Sequence, residues 1–392
     1  MPMPLPCSLA LRARRPIRRQ PLVAGLCLLL ASLWLSGCEP SAEQALQPIR
    51  LGVIVDTSGP TSSLGIAGRN GMQLAVEQTN AAGGIHGRQI ELLQRDDGFN
   101  PQQASQAASE LIKAKVDAAF GPMTSLIAEQ LAPQFTDAGI LLMGGTPLSP
   151  LLAGRDDQFF RILSHTSPDA LGIARHLQQQ LGIGQVTVLI EESNHTFTRP
   201  WLADFQRYFA AEGGSIGQTI AFTRNAQTDF AALARQALAS QPRAVILISN
   251  ALDTAMLATQ LRQQNPQLVL ATPAWAAADA LLEMGGRAVE GVITGQAYDL
   301  SDQSPAFLAF KQAYQQRFGQ PVDTAAVTAY NATQVLLTAL RERQPQESPK
   351  QALLRIRHFA SLQQPIDLDE FGDGASRFYL MVVRQGRFVN AE

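Results

Sequence analysis

Residues 51–55 form an unbroken apolar run that stops at Asp56 and a Thr-Ser-Gly-Pro turn. Met72, Ala75, Val76 and Thr79 then recur with helical spacing, with Leu74 beside them, until Gly83-Gly84 end the segment. A second strand is expected over 90–93 and ends at Asp96-Asp97. Runs without alternation predict strands buried on both faces, and spacings of three and four predict an amphipathic helix between them. Residues 50–101 therefore predict a β-turn-α-β unit, and the same plan repeats to about residue 300.

The next helix is expected over 101–114, where Ala104, Ala107, Ala108, Leu111 and Ile112 share a face. Strands follow over 116–120 and 140–143, separated by a helix over 126–138. Gly144 to Pro150 is a Gly/Pro-rich loop, and Phe159-Phe160-Arg161-Ile162 ends this first run. A second run places helices over 168–181, 201–211, 229–239 and 252–263, with strands over 186–190, 216–221, 244–248, 268–271 and 288–294. Helices return over 305–318, 325–340 and 350–359, and 377–390 reads as a hairpin. Two alternating runs of similar length predict an α/β protein with two doubly wound, Rossmann-like lobes. Ligands of such sheets bind beyond the carboxyl ends of the strands, so the cleft between the lobes is the expected site.

The amino-terminal residues follow a different pattern. Arg12, Arg14, Arg15, Arg18 and Arg19 precede an apolar stretch over 21–35, which ends in Leu35-Ser36-Gly37-Cys38. Basic, apolar and small residues in this order before a cysteine predict a lipoprotein signal over 1–37 with a diacylglyceryl group on Cys38. Each buried lipid CH₂ contributes about 0.8 kcal/mol of membrane affinity. Residues 38–48 then form a polar, lipidated linker.

Loss of the signal removes five arginines from the 31 basic residues and leaves 26 against 33 acidic ones, a net charge of about −7. That balance argues against a nucleic-acid partner, whose phosphates call for a basic surface. Cys7 and Cys27 leave with the signal, so no disulfide is expected in the mature chain. His86, His165, His176, His195 and His358 have no metal-ligand spacing. The chain carries no P-loop, G-x-S-x-G or G-x-G-x-x-G sequence, and no cofactor is implied. The paired carboxylates Asp96-Asp97 and Glu191-Glu192 sit at expected strand ends, where loop capping accounts for them as well as acid–base chemistry does. Nothing in the sequence argues for an enzyme.

The stretch Asn80-Ala81-Ala82-Gly83-Gly84-Ile85-His86-Gly87-Arg88 is the most specific of several that resemble the type I periplasmic binding proteins of branched-chain amino acid (Leu/Ile/Val) transporters. Ser58-Gly59-Pro60, Leu64-Gly65, Asp96-Asp97 with Asn100-Pro101, Phe120-Gly121-Pro122 with Ser125, Leu261-Arg262-Gln263, Gly291-Val292, Ala329-Tyr330-Asn331-Ala332 and Phe378-Tyr379-Leu380 accompany it in the family's order. The resemblance implies two lobes joined by three crossovers, near 163–168, 294–298 and 367–374. It divides the chain into 49–165 plus 297–368 and 166–296 plus 369–392. It also implies capture of a small solute, namely an amino acid, an amide or a small carboxylate, and delivery to an ABC permease on the extracytoplasmic side of the membrane.

The resemblance places the family's ligand serine at Ser125, at the start of a helix, where free N–H groups suit an anion. An N-cap role explains the same residue. The family's next loop has its threonine where Leu148 stands, with Thr146 two residues away. Leu64 occupies the position of a covering aromatic, and Ser58 lies in the same first loop. In the second lobe, Asn194-His195-Thr196-Phe197 replaces a Tyr-Gly pair. The acidic residue that meets the ligand ammonium in relatives falls near Ala274-Trp275, so Glu192 or Asp253 is left to supply a carboxylate. Trp275 is a candidate lid or a core residue. The altered loops also admit a second reading, an envelope lipoprotein that uses the same fold to regulate a partner such as a cell-wall synthase.

Overall fold

The computed structural model describes residues 46–375 and 377–391; the expected signal segment and Cys38 lie outside them. Strands β1 (Ile49–Val55), β2 (Ile90–Asp96), β3 (Ala118–Phe120), β4 (Leu142–Gly144) and β5 (Phe159–Arg161) form a parallel sheet in the order β2-β1-β3-β4-β5. The second sheet has the order β14-β13-β10-β9-β8-β6-β7. Its strands are β6 (Gln185–Glu191), β7 (Ser215–Phe222), β8 (Ala244–Ile248), β9 (Val269–Ala271), β10 (Ile293–Gln296), β13 (Tyr379–Arg384) and β14 (Arg387–Asn390). Strand β13 runs antiparallel to both β10 and β14, and the other described pairs in this sheet are parallel. A short ladder joins β11 (His358–Phe359) to β12 (Ile366–Asp367).

Burial explains the strand patterns. Every residue of β8 is buried, as a central strand covered on both faces requires, whereas the edge strand β2 keeps only Ile90 buried. Helices α1 (Ser62–Ala81), α2 (Pro101–Lys113) and α3 (Ser125–Asp137) flank the first sheet, together with α9 (Pro305–Phe318), α10 (Thr324–Glu342) and α11 (Pro349–Ile356). Helices α4 (Ser167–Arg175), α5 (His195–Ala211), α6 (Phe230–Leu238), α7 (Ala251–Gln264) and α8 (Asp279–Gly285) belong with the second. Asn100 caps α2 by accepting from Gln102 and Gln103 N–H, and Ser348 with Gln351 forms a capping box on α11. Helix α1 lies against α10 at Gly71, where a Cβ would stand 2.2 Å from the Ala326 carbonyl.

The elements depart from the sequence reading in four places. Helix α5 begins at His195 rather than near 201, because Phe197, Trp201, Phe205 and Phe209 bury one continuous face through Pro200. The strand expected over 288–294 starts only at Ile293; a 3-10 turn at Gly286–Val289 and Gly291, at φ 75°, precede it. The helix expected over 350–359 stops at Ile356, and His358–Phe359 pair instead as β11. The fourth difference concerns the last crossing. Residues 369–374 were expected in the second lobe, yet Asp373 bridges Arg161 of β5 and Gly374 bridges Leu368. The chain passes from one sheet to the other between β5 and α4, after β10, and after Gly374.

Candidate functional site

The carboxyl end of β3 positions the first wall. Gly121 turns the chain at φ 108°, and a Cβ there would meet the Ile54 carbonyl at 1.9 Å, so only glycine fits. The turn delivers Thr124 and Ser125 to the amino end of α3. Ser125 is buried, and its Oγ accepts the N–H groups of Leu148 and Ser149, each at 3.2 Å. The hydroxyl therefore retains its proton for a further acceptor. Thr146 behaves oppositely: its Oγ1 donates to the Met123 carbonyl at 2.5 Å and can only accept from anything else.

A guanidinium holds this loop from below. Arg161 has no exposed side-chain surface; its Nη1 donates to the carbonyls of Ser149 at 2.7 Å and Pro147 at 3.3 Å, and its Nε to Asp373 at 2.6 Å.

The second lobe supplies the facing wall. Asn194 and Phe197 open α5, and Trp275 packs edge-on against Phe197 with ring centroids 5.5 Å apart. Asp169 of α4 anchors the Trp275 loop by accepting from Ala274 N–H at 3.0 Å and from Trp201 Nε1 at 2.8 Å. Complete burial pushes this carboxyl up to about 6. Two hydrogen bonds join the walls: Leu126 N–H donates to Asn194 Oδ1 at 3.1 Å, and Thr196 Oγ1 to Glu129 Oε2 at 2.5 Å.

Between the walls lies a cavity of about 60 Å³. The first lobe lines it with Leu64, Met123, Thr124, Ser125, Thr146, Leu148, Thr324, Ala325 and Thr328, and the second with Asn194, Phe197, Ala274 and Trp275. Leu163, Ala297 and Phe378 reach it from the three connections between the lobes.

Five of the residues singled out in the sequence therefore meet at one cavity: Ser125, Thr146, Leu148, Leu64 and Trp275. Ser58 and Glu192 stand elsewhere. Ser58 Oγ donates to Asp96 Oδ2 at 2.5 Å in a turn organised by Asp56, which accepts from Ser58, Gly59 and Thr61 N–H. Glu192 accepts from Arg199 Nε at 2.9 Å. Asp253 is buried against Arg224, at 3.1 Å, and burial pushes its carboxyl up to about 6. The sequence reading passed over Asn194 and Phe197 as binding residues, although both lie in the stretch it marked as altered. Thr324 and Thr328 have a four-residue helical spacing that points both at one surface. Phe378 belongs to the resembling stretch Phe378-Tyr379-Leu380, but its place at the cavity depends on the last crossing.

Among the described residues, no group of three or more His, Cys, Asp or Glu is placed to hold a metal ion, and no helix is long and apolar enough to cross a membrane.

A family model described as periplasmic binding protein matches residues 48–387. The Leu/Ile/Val-binding protein homolog 3 of Brucella melitensis is 23% identical over 309 residues, 79% of this chain and 83% of that protein. A leucine-binding protein from Thermotoga maritima superposes with a TM-score of 0.79 at 23% identity, covering 88% of this chain and 98% of its own. A solute-binding protein of an R. palustris ABC transporter, solved with benzoate, superposes with a TM-score of 0.78 at 20% identity, covering 88% and 95%.

Proposed function

The chain belongs to the periplasmic binding protein family, and from that premise we propose that it captures a small solute between its lobes and delivers it to an ABC importer. Its relatives include a Leu/Ile/Val-binding protein, a leucine-binding protein and a solute-binding protein of an ABC transporter. The observation that carries the proposal is the convergence of Ser125 from one lobe with Asn194 and Trp275 from the other on a single cavity. The two inter-lobe hydrogen bonds belong to a closed arrangement. In an open one the same surfaces would face solvent, and a solute that touches both walls would favour closure by its differential affinity.

The lobes in this account comprise 49–165 with 297–374, and 166–296 with 377–391. The protein works outside the cytoplasm, tethered by a lipid on Cys38 through the linker to residue 48. The solute is an amino acid or a small carboxylate, the classes named for the T. maritima and R. palustris relatives.

A thermal-shift screen of the mature protein with amino acids and small carboxylates tests solute capture. A ligand at 100 times its Kd adds about 2.7 kcal/mol to stability. A flat response across both classes contradicts the proposal. Metabolic labelling with a fatty acid tests the tether: label is expected on the wild-type protein and lost in Cys38→Ala, and label retained by the variant would rule out lipidation of this residue.

A further inference from the structure

Resting on that reading of the cleft, we infer that the solute is a carboxylate with an apolar body and no ammonium group, an organic acid rather than an α-amino acid. Among the described residues, the lining contains no Asp, Glu, Lys, Arg or His. Its polar residues are a serine, an asparagine and threonines, and the rest is apolar or aromatic.

Two helices aim their amino ends at this cavity from opposite lobes, α3 over 13 residues and α5 over 17. Neither has a side-chain cap from its own N-cap residue, and neither has an acidic residue in its first turn. Apart from Leu126 N–H, which Asn194 Oδ1 takes, the first-turn N–H groups leave both ends partly positive. The buried Ser125 keeps a hydroxyl proton to donate after accepting from Leu148 and Ser149. The buried Asn194 spends its Oδ1 on Leu126 N–H and retains its NH₂. Donors from both lobes therefore face the cavity with no cation among them, an environment that compensates one negative charge through neutral groups.

An ammonium finds no counterpart. Among the described residues no acidic side chain lines the cavity. Asp169 Oδ2 accepts from Ala274 N–H and Trp201 Nε1, Glu129 accepts from Thr196, Glu191 Oε1 from Ser193 and Arg224 N–H, and Glu192 from Arg199. Asp323 caps α10 and lines a different cleft with Asp279 and Tyr314. Thr146 can accept, but one neutral oxygen does not replace the water lost by a buried ammonium. The remaining wall, Trp275, Phe197 and Phe378 with Leu64 and Leu148, suits a flat or branched hydrocarbon.

Matched pairs that differ only in the ammonium test the inference by calorimetric titration of the full mature chain: 4-methylpentanoate against L-leucine, and 3-phenylpropanoate against L-phenylalanine, with benzoate alongside. At least one deaminated acid is expected to bind about 100-fold or more tightly than its amino acid, the scale set by a buried polar group left without a partner. Equal or tighter binding of the amino acids overturns this inference and leaves solute capture standing. Binding of neither class overturns both.

Asn194→Asp provides a second arm, since it keeps the oxygen that Leu126 needs while replacing the NH₂ donor with a negative charge. It is expected to abolish binding of the acid while leaving the melting temperature of the unliganded protein close to wild type. An acid that binds Asn194→Asp as tightly as wild type contradicts the placement of its carboxylate.

Discussion

Arg161 and Asp373 are 212 residues apart in the chain and meet at 2.6 Å with the guanidinium wholly buried. The pair fastens β5 to the segment that precedes the last crossing, and Asp373 Oδ2 also accepts from Gly154 N–H at 2.9 Å. Because Arg161 donates in addition to Pro147 and Ser149, one side chain holds the loop carrying Thr146 and Leu148 in register with the crossing that leads to Phe378. Removing one member of a buried pair strands the other. Asp373→Ala is therefore expected to cost about 3–5 kcal/mol, measured by urea denaturation.

The contact between lobes makes a second prediction. Thr196→Val removes the hydroxyl that donates to Glu129 but leaves the cavity wall unchanged. Closure should weaken by about 0.5–1.5 kcal/mol, seen as a rise in Kd of roughly 2- to 12-fold by the conversion of 1.4 kcal/mol per decade. Small-angle scattering checks the cause, because the unliganded variant should be more extended than wild type.

The pH dependence of stability follows from four buried carboxyls. Burial pushes Asp97 and Asp323 up to about 7, and Asp169 and Asp253 up to about 6. An unfolded aspartate titrates near 3.9, so between about pH 4 and 7 the folded chain binds more protons than the unfolded one. Stability from these groups is thus present below about pH 4 and is lost as pH rises through 6 and 7. In the opposite direction, Arg355 holds Glu347 down to about 2, and Arg317 lowers Glu77, contributions that fade only in acid. The melting temperature should be higher at pH 5.5 than at pH 8, and a calorimetric series across that range checks the sign.

Close helix packing provides a fourth test. Gly71 lets α1 approach α10 so nearly that a Cβ would lie 2.2 Å from a backbone oxygen, which cannot rotate away as a side chain would. Gly71→Ala should cost about 1–3 kcal/mol through forced displacement of the two helices, with denaturation midpoints as the readout.

The legibility of this protein in its sequence divides along physical lines. Apolar runs such as 244–248 announce buried strands because burial on both faces excludes polar residues, and the alternation with helical periods announces two wound sheets. Ser125 and the loop after β4 meet because each follows directly from the carboxyl end of a neighbouring strand. Other features depend on contacts between distant segments. Arg161 looks like an ordinary strand-end charge until Asp373 is folded against it, and Phe378 reaches the cavity only through the last crossing. By its sequence Glu192 is a loop carboxylate open to a ligand, but the early start of α5 brings Arg199 beside it. The neutrality of the cavity could not be read locally either, since it depends on where every nearby charge finds its partner.

The most direct test of the account is the affinity of Trp275→Ala for the solute that stabilises the wild-type protein, compared with wild type by calorimetric titration. Trp275 lines the cavity and meets Phe197 there, so its loss should raise Kd about tenfold or more, equivalent to about 1.4 kcal/mol of buried aromatic contact. An unchanged Kd in a folded variant would place the solute outside the cavity between the lobes and contradict the account.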